Sequence, residues 1–455
     1  MNGLLEAKED GARKWIYPLL RKGKYYQWRS AISYIYLIVF FTGPFIRING
    51  QPLLMLNVID RQFVLLGQVF WPQDIFLFML ASLIFVVCIV LFTIVFGRIF
   101  CGWICPQTIF MEMVFRKVEV WIEGDANKRK KLDAGAWTTD KIVKKTLKHI
   151  LFIILSFLIA NTFLAYIIGS VNLIKIMTEP VNLHWVGFFS IWVFSAIFYL
   201  VYSQVRELVC TVICPYGRLQ GVLMDENTLV VAYNDVRGEP RGKLDKTGSS
   251  SKGDCVDCGL CIAVCPTGID IRNGTQMECI NCTACIDVCD EVMDKIHKPR
   301  SLVGYYAENM IHTKEKPSFN IRMIGYSCVI AVLMGVMSFF IFSRSDMDIT
   351  VMRSAGMLYQ EQPNGYVSNI YTADITNKEN KDRAVILRAE DPEIRIKYIQ
   401  APGIAGKGSD VKTVFFILIP ARKIHSVETD VRLQLISGNQ IIQTVTTTFV
   451  GPLNN

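Results

Sequence analysis

Four stretches of the chain, 75–96, 150–168, 185–202 and 321–342, are almost wholly apolar. A bilayer's hydrocarbon core is about 30 Å thick, so a helical span needs about 20 such residues. In lipid every backbone N–H and C=O must be paired internally, which leaves only helices or closed barrels. Runs this long select helices and fix most of what the chain can become. A fifth run, 31–46, is shorter and carries Gly43 and Pro44. Composition agrees. The 455 residues are 51% hydrophobic and 19% charged, against about 25% charged in an ordinary soluble domain. That deficit excludes a disordered or acidic-tail protein. The first thirty residues are basic and lack a compact apolar core before a small-residue cleavage site, so no signal peptide is expected.

Basic residues in short loops set orientation, because they are retained on the cytoplasmic side. Lys and Arg number seven in 1–30, two in 47–74, eleven in 97–149 and one in 169–184. Five spans make that count alternate correctly. Four spans would put the two basic segments on opposite sides. The expectation is therefore a cytoplasmic arm (1–30), a four-helix membrane domain (31–225), a cytoplasmic insert (226–320), a fifth span (321–342) and an outer domain (343–455). The net charge of +8 then reflects loops meeting anionic lipid headgroups. The basic run Lys128-Arg129-Lys130-Lys131 lacks interleaved aromatics, and no nucleic-acid partner is expected.

Within the insert, 237–254 is rich in Gly, Ser and Lys and reads as a linker. Two copies of C-x2-C-x2-C-x3-C follow: Cys255, Cys258, Cys261 and Cys265, then Cys279, Cys282, Cys285 and Cys289. Three close thiolates wrap one iron–sulfur cubane, and the fourth, beyond a short turn, ligates the other. The first [4Fe-4S] cluster is then expected on Cys255, Cys258, Cys261 and Cys289. The second is expected on Cys279, Cys282, Cys285 and Cys265. Pro266 ends the first turn, while Asp290 stands where a second proline would be. Structural zinc also uses paired C-x2-C, but eight cysteines in two complete repeats favour a double-cubane ferredoxin. Asp287, Asp290, Glu291 and Asp294 read as a solvated face, with partner docking as the other option.

A second motif occurs twice at the inward ends of spans: Cys101-Gly-Trp-Ile-Cys105-Pro106 and Cys210-Thr-Val-Ile-Cys214-Pro215. Cysteines four apart on a helix share a face. Two such pairs brought together would make a soft thiolate site, suited to Cu(I), zinc or iron–sulfur, or a redox-active dithiol. Packing by small side chains is the plain alternative. Met111 and Met113 add thioethers nearby, but residues two apart do not share a helix face. Cys88 and Cys328 stand alone inside spans and read as apolar core. The expected outer segments contain no cysteine, which suits metal-binding thiols rather than disulfides.

From 343 onward the hydrophobic period changes to two. Strands are expected at 366–375, 384–387, 394–399, 413–419, 431–436 and 441–450. Six or seven strands in this length suggest an immunoglobulin-like β-sandwich, here without a disulfide.

These features together resemble the cytochrome c oxidase accessory protein family known as CcoG, FixG or RdxA. The resemblance rests on Cys101-Gly-Trp-Ile-Cys105-Pro-Gln-Thr108, Cys214-Pro-Tyr-Gly-Arg218 and Cys261-Ile-Ala-Val-Cys265-Pro-Thr-Gly-Ile-Asp270, and it covers nearly the whole chain. It implies a membrane polyferredoxin of the bacterial inner membrane that helps assemble the cbb-type haem–copper oxidase. The implied activity is reduction of Cu(II) to Cu(I), with Cys101, Cys105, Cys210 and Cys214 as the catalytic and metal-binding residues. The implied partners are a cytosolic electron donor, copper-transport and oxidase-assembly factors, and the lipid bilayer. A homodimer is left open. Two other readings stand beside it. One is an electron-transfer subunit linking a cytosolic donor or quinol pool to an outer reductase. The other is a non-enzymatic assembly scaffold with structural clusters.

Overall fold

The computed structural model describes residues 15–48, 51–57, 62–65, 68–70, 75–243, 252–313, 321–343, 347–354, 358–363, 365–378, 381–406, 409–424, 426–438 and 440–452. The chain divides into two compact units. One holds most of 1–337 and the other holds 338–455 with two short upstream segments.

In the first unit, α1 (Lys24–Thr42) stops where its sequence requires. Pro44 has no N–H to offer the carbonyl of Phe40. The Tyr166 hydroxyl lies 3.1 Å from that carbonyl and 3.1 Å from that of Val39, and takes the missing donor's place. The helix thus begins at Lys24 rather than 31 and ends at Thr42 rather than 46. Next come α2 (Ile75–Phe96), α3 (Thr139–Ile168) and α4 (Trp185–Leu200), the last continuing in wider turns through Val205. Thr138 caps α3 by accepting from the Lys141 N–H. The first turns of α3 carry Lys141, Lys144, Lys145 and Lys148, and the rest is apolar, so one helix is both basic collar and span. It meets α4 through Phe157 on Trp192 and Phe163 on Phe194. A buried cluster of Phe110, Met111, Phe115, Phe152, Ile159 and Tyr202 closes that end of the bundle.

Among the described residues, four helical stretches are long and apolar enough to cross a membrane: Phe76–Phe96, Thr139–Ile168, Trp185–Val205 and Ile321–Phe342. Most of their apolar side chains face outward, which water would penalise and lipid does not. The chain is a membrane protein. The four coincide with four of the expected runs, and α1 is not among them. Cys88 and Cys328 are exposed on such helices rather than packed in a core. A lipid-facing position is apolar without being buried in protein, which is why the sequence alone misplaces them.

The ferredoxin region packs in the same unit as the membrane helices. Strand Val230–Tyr233 pairs antiparallel with Val303–Tyr306, and α5 (Ala284–Lys295) lies against the latter. The two cysteine repeats fold alike. Asp257 and Asn281, before the second cysteine of each repeat, have φ of +52° and +53°. Gly259 and Thr283, just after it, have φ of +66° and +65°. Asp, Asn and Gly enter the left-handed region readily, whereas a β-branched threonine does so under strain. Beyond the ferredoxin region, α6 (Ile321–Phe342) has no buried residue.

The second unit carries two antiparallel sheets. In one, strands Arg395–Gln400, Asp410–Pro420, Tyr366–Asn377 and Met347–Arg353 are neighbours in that order, with Gln360–Gln362 added to Tyr366–Asn377. In the other the order is Ile404–Ala405, Arg383–Ala389, Glu428–Ser437 and Gln440–Val450. Alternate residues point inward, so Tyr371, Phe415, Ile417, Leu433, Leu435 and Phe449 form a common core. All six expected strands are present. Three more escaped the sequence pattern: Met347–Arg353, whose exposed C-terminal half breaks the alternation, and two of three residues or fewer.

Candidate redox centre between the ferredoxin region and the membrane helices

The eight ferredoxin cysteines surround two apolar cavities. One is lined by Cys255, Cys258, Cys261 and Cys289, with Leu260, Val288 and Leu302 among its walls. The other is lined by Cys265, Cys279, Cys282 and Cys285, with Ile269 and Ile280; Cys261 also touches it. The fourth cysteine of each repeat thus turns to the other repeat's cavity. Burial pushes the thiols of Cys261 and Cys282 up to about 11, and those of Cys279 and Cys289 up to about 12. Such thiols keep their protons until a metal displaces them. Among the described residues no three His, Cys, Asp or Glu side chains stand close enough to hold one ion. Four thiols spread around a cavity suit a cluster in which each iron takes one sulfur. The donor set therefore fits [4Fe-4S] clusters.

The membrane-edge motifs are built differently from expectation. Cys101 sits in the short helix Ile99–Trp103, but Cys105 lies beyond its end, in extended conformation before Pro106. Cys210 lies in the wide-turned segment Val209–Ile213, and Cys214 precedes Pro215 in the same way. Proline disfavours helical geometry in the residue before it and then starts a new helix. Each pair therefore straddles a break instead of sharing a helix face. The four thiols lie near enough to act on one another electrostatically, and Cys101 packs with Cys210, though no three of them stand close enough to hold one ion in this arrangement. Burial raises Cys101 to about 11, and Cys105 and Cys214 act on it in the same direction. Burial raises Cys210 to about 12, and Cys105 and Cys101 add to the effect.

This thiol group abuts the second cluster cavity. Cys101 packs with Ile280, Cys282 and Cys210. At Gly102 an added Cβ would stand 2.4 Å from the carbonyl oxygen of Ile280 and 3.0 Å from that of Asn281. Only glycine lets the two segments meet this closely. Trp103 Nε1 donates to the Asn281 carbonyl at 3.3 Å, and Arg29 Nη1 donates to the Cys282 carbonyl at 3.0 Å. Arg98 donates to the Met277 carbonyl and, through Nε, to Gln220 Oε1, which also accepts from the Cys101 thiol at 3.1 Å. Arg98 stands out in the sequence only as an arginine flanking the first Cys-x3-Cys-Pro motif, and Arg29 and Gln220 carried no signal because neither belongs to a spaced motif.

The acidic face also changes meaning. Asp287 accepts from the backbone N–H groups of Tyr25 and Tyr26 at 3.0 and 2.7 Å, capping α1 from the ferredoxin side. Asp290 accepts from Ser301 N, Asp294 pairs with Arg300 and Glu291 with Lys295. Met111 lines a small cavity with Cys210, whereas the Met113 sulfur faces the Ser30 hydroxyl at 3.9 Å.

Behind the motifs lies a buried ionic network. Arg116 pairs with Glu112 at 2.9 Å and Glu207 at 2.8 Å, and Glu119 pairs with Arg129 at 2.9 Å and Arg206 at 2.8 Å. Burial alone would raise the Glu119 carboxyl, but Arg206 and Arg116 outweigh it and hold the group well below the usual carboxylate range.

Comparison with known proteins fits this geometry. A family model described as a 4Fe-4S dicluster domain matches residues 205–308. One described as a 4Fe-4S binding domain matches 78–129 and 183–226, the segments carrying the membrane-edge motifs. A third, the IG-like fold at the C-terminus of FixG, matches 337–452. The nitrogen fixation protein FixG of Rhizobium meliloti is 31% identical over 420 residues, covering 83% of this chain and 79% of that protein. Protein RdxA of Cereibacter sphaeroides is 34% identical over 371 residues, covering 78% of this chain and 77% of that protein. Protein RdxB of the same organism is 34% identical over 388 residues, covering 82% and 81%. Four membrane-length apolar helices, cysteine-lined cavities and these relatives together describe a membrane iron–sulfur protein, and the chain belongs to the FixG/RdxA family.

Proposed function

We propose that this protein carries electrons from its ferredoxin clusters to the thiol group at the membrane edge, where Cu(II) is reduced to Cu(I) for assembly of a cbb-type haem–copper oxidase. The carrying observation is the contact of Cys101 and Gly102 with the Ile280–Cys282 loop. One cluster is assigned to Cys255, Cys258, Cys261 and Cys289, the other to Cys279, Cys282, Cys285 and Cys265. When bound, each supplies a one-electron store. The chain's own part is to bury those thiols in apolar walls, to fix the second loop through Trp103, Arg98 and Arg29, and to offer Cu(II) the sulfurs of Cys101, Cys105, Cys210 and Cys214. One electron per ion gives Cu(I), the state soft thiolates prefer.

The basic-loop count supports five spans, with α1 as the first, in a bacterial inner membrane. The N-terminus and ferredoxin region would then face the cytoplasm and the sandwich the periplasm. Partners on this reading are an electron donor, copper-transport factors and oxidase-assembly factors.

The match of a 4Fe-4S binding model to both membrane-edge segments favours a second reading, in which the four thiols hold a further cluster and relay electrons onward. One experiment separates the two. Purified protein is analysed for iron and copper, reduced, and mixed with Cu(II) and a Cu(I) indicator. About eight irons per chain, with copper binding and Cu(I) formation lost when Cys101 and Cys210 are replaced by serine, supports the copper site. About twelve irons, falling to about eight in that variant, supports the relay.

A further inference from the structure

A cavity of about 1190 Å³ between α3, the N-terminal segment and the ferredoxin region has no role in the reading above. It is at least as large as the pockets that take small organic ligands, about 300–1,000 Å³. Its position is informative. Phe152, where α3 passes from its lysine-bearing turns into its apolar run, and Ser203, near the C-terminal end of the Trp185–Val205 stretch, wall one side. Leu260 and Ala263 wall another, and they flank Cys261 of the first cluster cavity. An occupant would lie between the edge of the bilayer and a cluster-bearing loop.

The charges around it are mutually neutralised. Glu119 meets Arg206, Lys145 meets Glu123 at 2.9 Å and Asp133 at 2.5 Å, and Lys148 meets Glu123 at 2.8 Å. Apart from the solvent-exposed Lys130, the lysine and arginine side chains on its wall are each paired with a carboxylate. A nucleotide would need unpaired cations or a phosphate-binding loop for its pyrophosphate. A neutral ligand needs neither. Polar capacity is nevertheless available. Ser203 is 7% exposed, and its hydroxyl has no hydrogen-bond partner among the described residues. His149 engages the Tyr199 hydroxyl through Nδ1 at 2.9 Å, and its Nε2 has no partner among the described residues. Trp15 and Phe152 add aromatic surface.

We propose that this cavity binds the head group of a membrane quinol, which donates electrons to the clusters. The proposal rests on the clusters being electron acceptors, as read above. Ser203 and His149 contact the quinol hydroxyls. The hydroquinone loses two protons and two electrons and becomes the quinone. Each of two clusters gains one electron. With the His149 Nδ1–H donating to the Tyr199 hydroxyl, Nε2 is the free base and takes one proton, and the other leaves to water.

The test uses full-length protein with its clusters, in detergent and without oxygen. The probes are a short-chain azidoquinone for photolabelling, mapped by mass spectrometry, and decylubiquinol for cluster reduction, read by electron paramagnetic resonance. Labelling of peptides containing Trp15, His149 or Ser203, competed by decylubiquinol, is expected. Ser203→Phe, which fills the cavity, should cut both labelling and reduction at least tenfold. His149→Gln should keep labelling and slow reduction at least tenfold. If Ser203→Phe loses its clusters, His149→Gln decides. Dithionite is the control. No reduced-cluster signal with dithionite sinks the cluster reading and this proposal with it. Clusters that reduce with dithionite, alongside absent labelling or quinol reduction unchanged in the folded variants, overturn the quinol site alone.

Discussion

Gly102 lies against the carbonyl of Ile280 so closely that a methyl group in place of its hydrogen would stand 2.4 Å from that oxygen. These residues come from a membrane-edge motif and a cluster loop 178 positions apart, and their contact joins the two candidate redox sites. Gly102→Ala must push the segments apart. Backbone shifts of this kind cost about 1–3 kcal/mol. We expect a lower melting temperature, retained iron, and slower electron transfer from reduced clusters to Cu(II), followed by stopped-flow absorbance.

The two repeats offer a matched pair of strain tests. Gly259 has open space around it and φ of +66°, so Gly259→Val costs only backbone strain, about 1–2 kcal/mol. Thr283 already bears that strain at φ +65°, and its buried hydroxyl donates to the Cys282 carbonyl at 2.6 Å, so Thr283→Ser, which keeps that bond and removes the β-branch, should be neutral or stabilising. Denaturant unfolding monitored through cluster absorbance distinguishes the two signs, and destabilisation by both substitutions would contradict the assignment of strain.

Glu119→Gln removes the carboxylate facing Arg129 and Arg206. Leaving buried guanidinium groups unpaired costs about 3–5 kcal/mol. The same pairing predicts an acid limit. The folded-state pKa of Glu119 is depressed, so its contribution is fully present above the ordinary carboxylate range and is lost as pH falls through the folded value. Thermal scans of wild type should lose stability below about pH 4, and the variant should show less of that dependence.

Because burial raises Cys101 to about 11 and Cys210 to about 12, any metal bound there displaces protons. Binding should strengthen with pH, by up to about tenfold per pH unit for each proton released. Competition titrations of Cu(I) at pH 6, 7 and 8 read the slope. A flat response would mean that these sulfurs are not ligands.

In the sandwich, Phe415 is wholly buried and stacks on Tyr371 at 6.0 Å. Phe415→Ala should cost about 3–5 kcal/mol while leaving cluster absorbance unchanged, since the two units have separate cores.

Much of this protein was legible residue by residue. Membrane length is a property of one run, the cluster signature of one spacing, and the strands of one alternation, so each could be read locally. The same local logic failed at Cys101 and Cys105, where spacing suggested a shared helix face and Pro106 broke the helix between them. It also failed at Asp287, which looked solvated and caps α1.

The sequence by itself determined the apolar runs, the two cysteine repeats and the alternating strands, because each depends on neighbours a few positions apart. Tertiary structure alone decided that Cys101 meets Cys282, that Gly102 must be glycine, and that Ser203, His149 and Leu260 wall one cavity. Those relations depend on segments brought together by packing from distant parts of the chain, and no period or spacing within either segment encodes them.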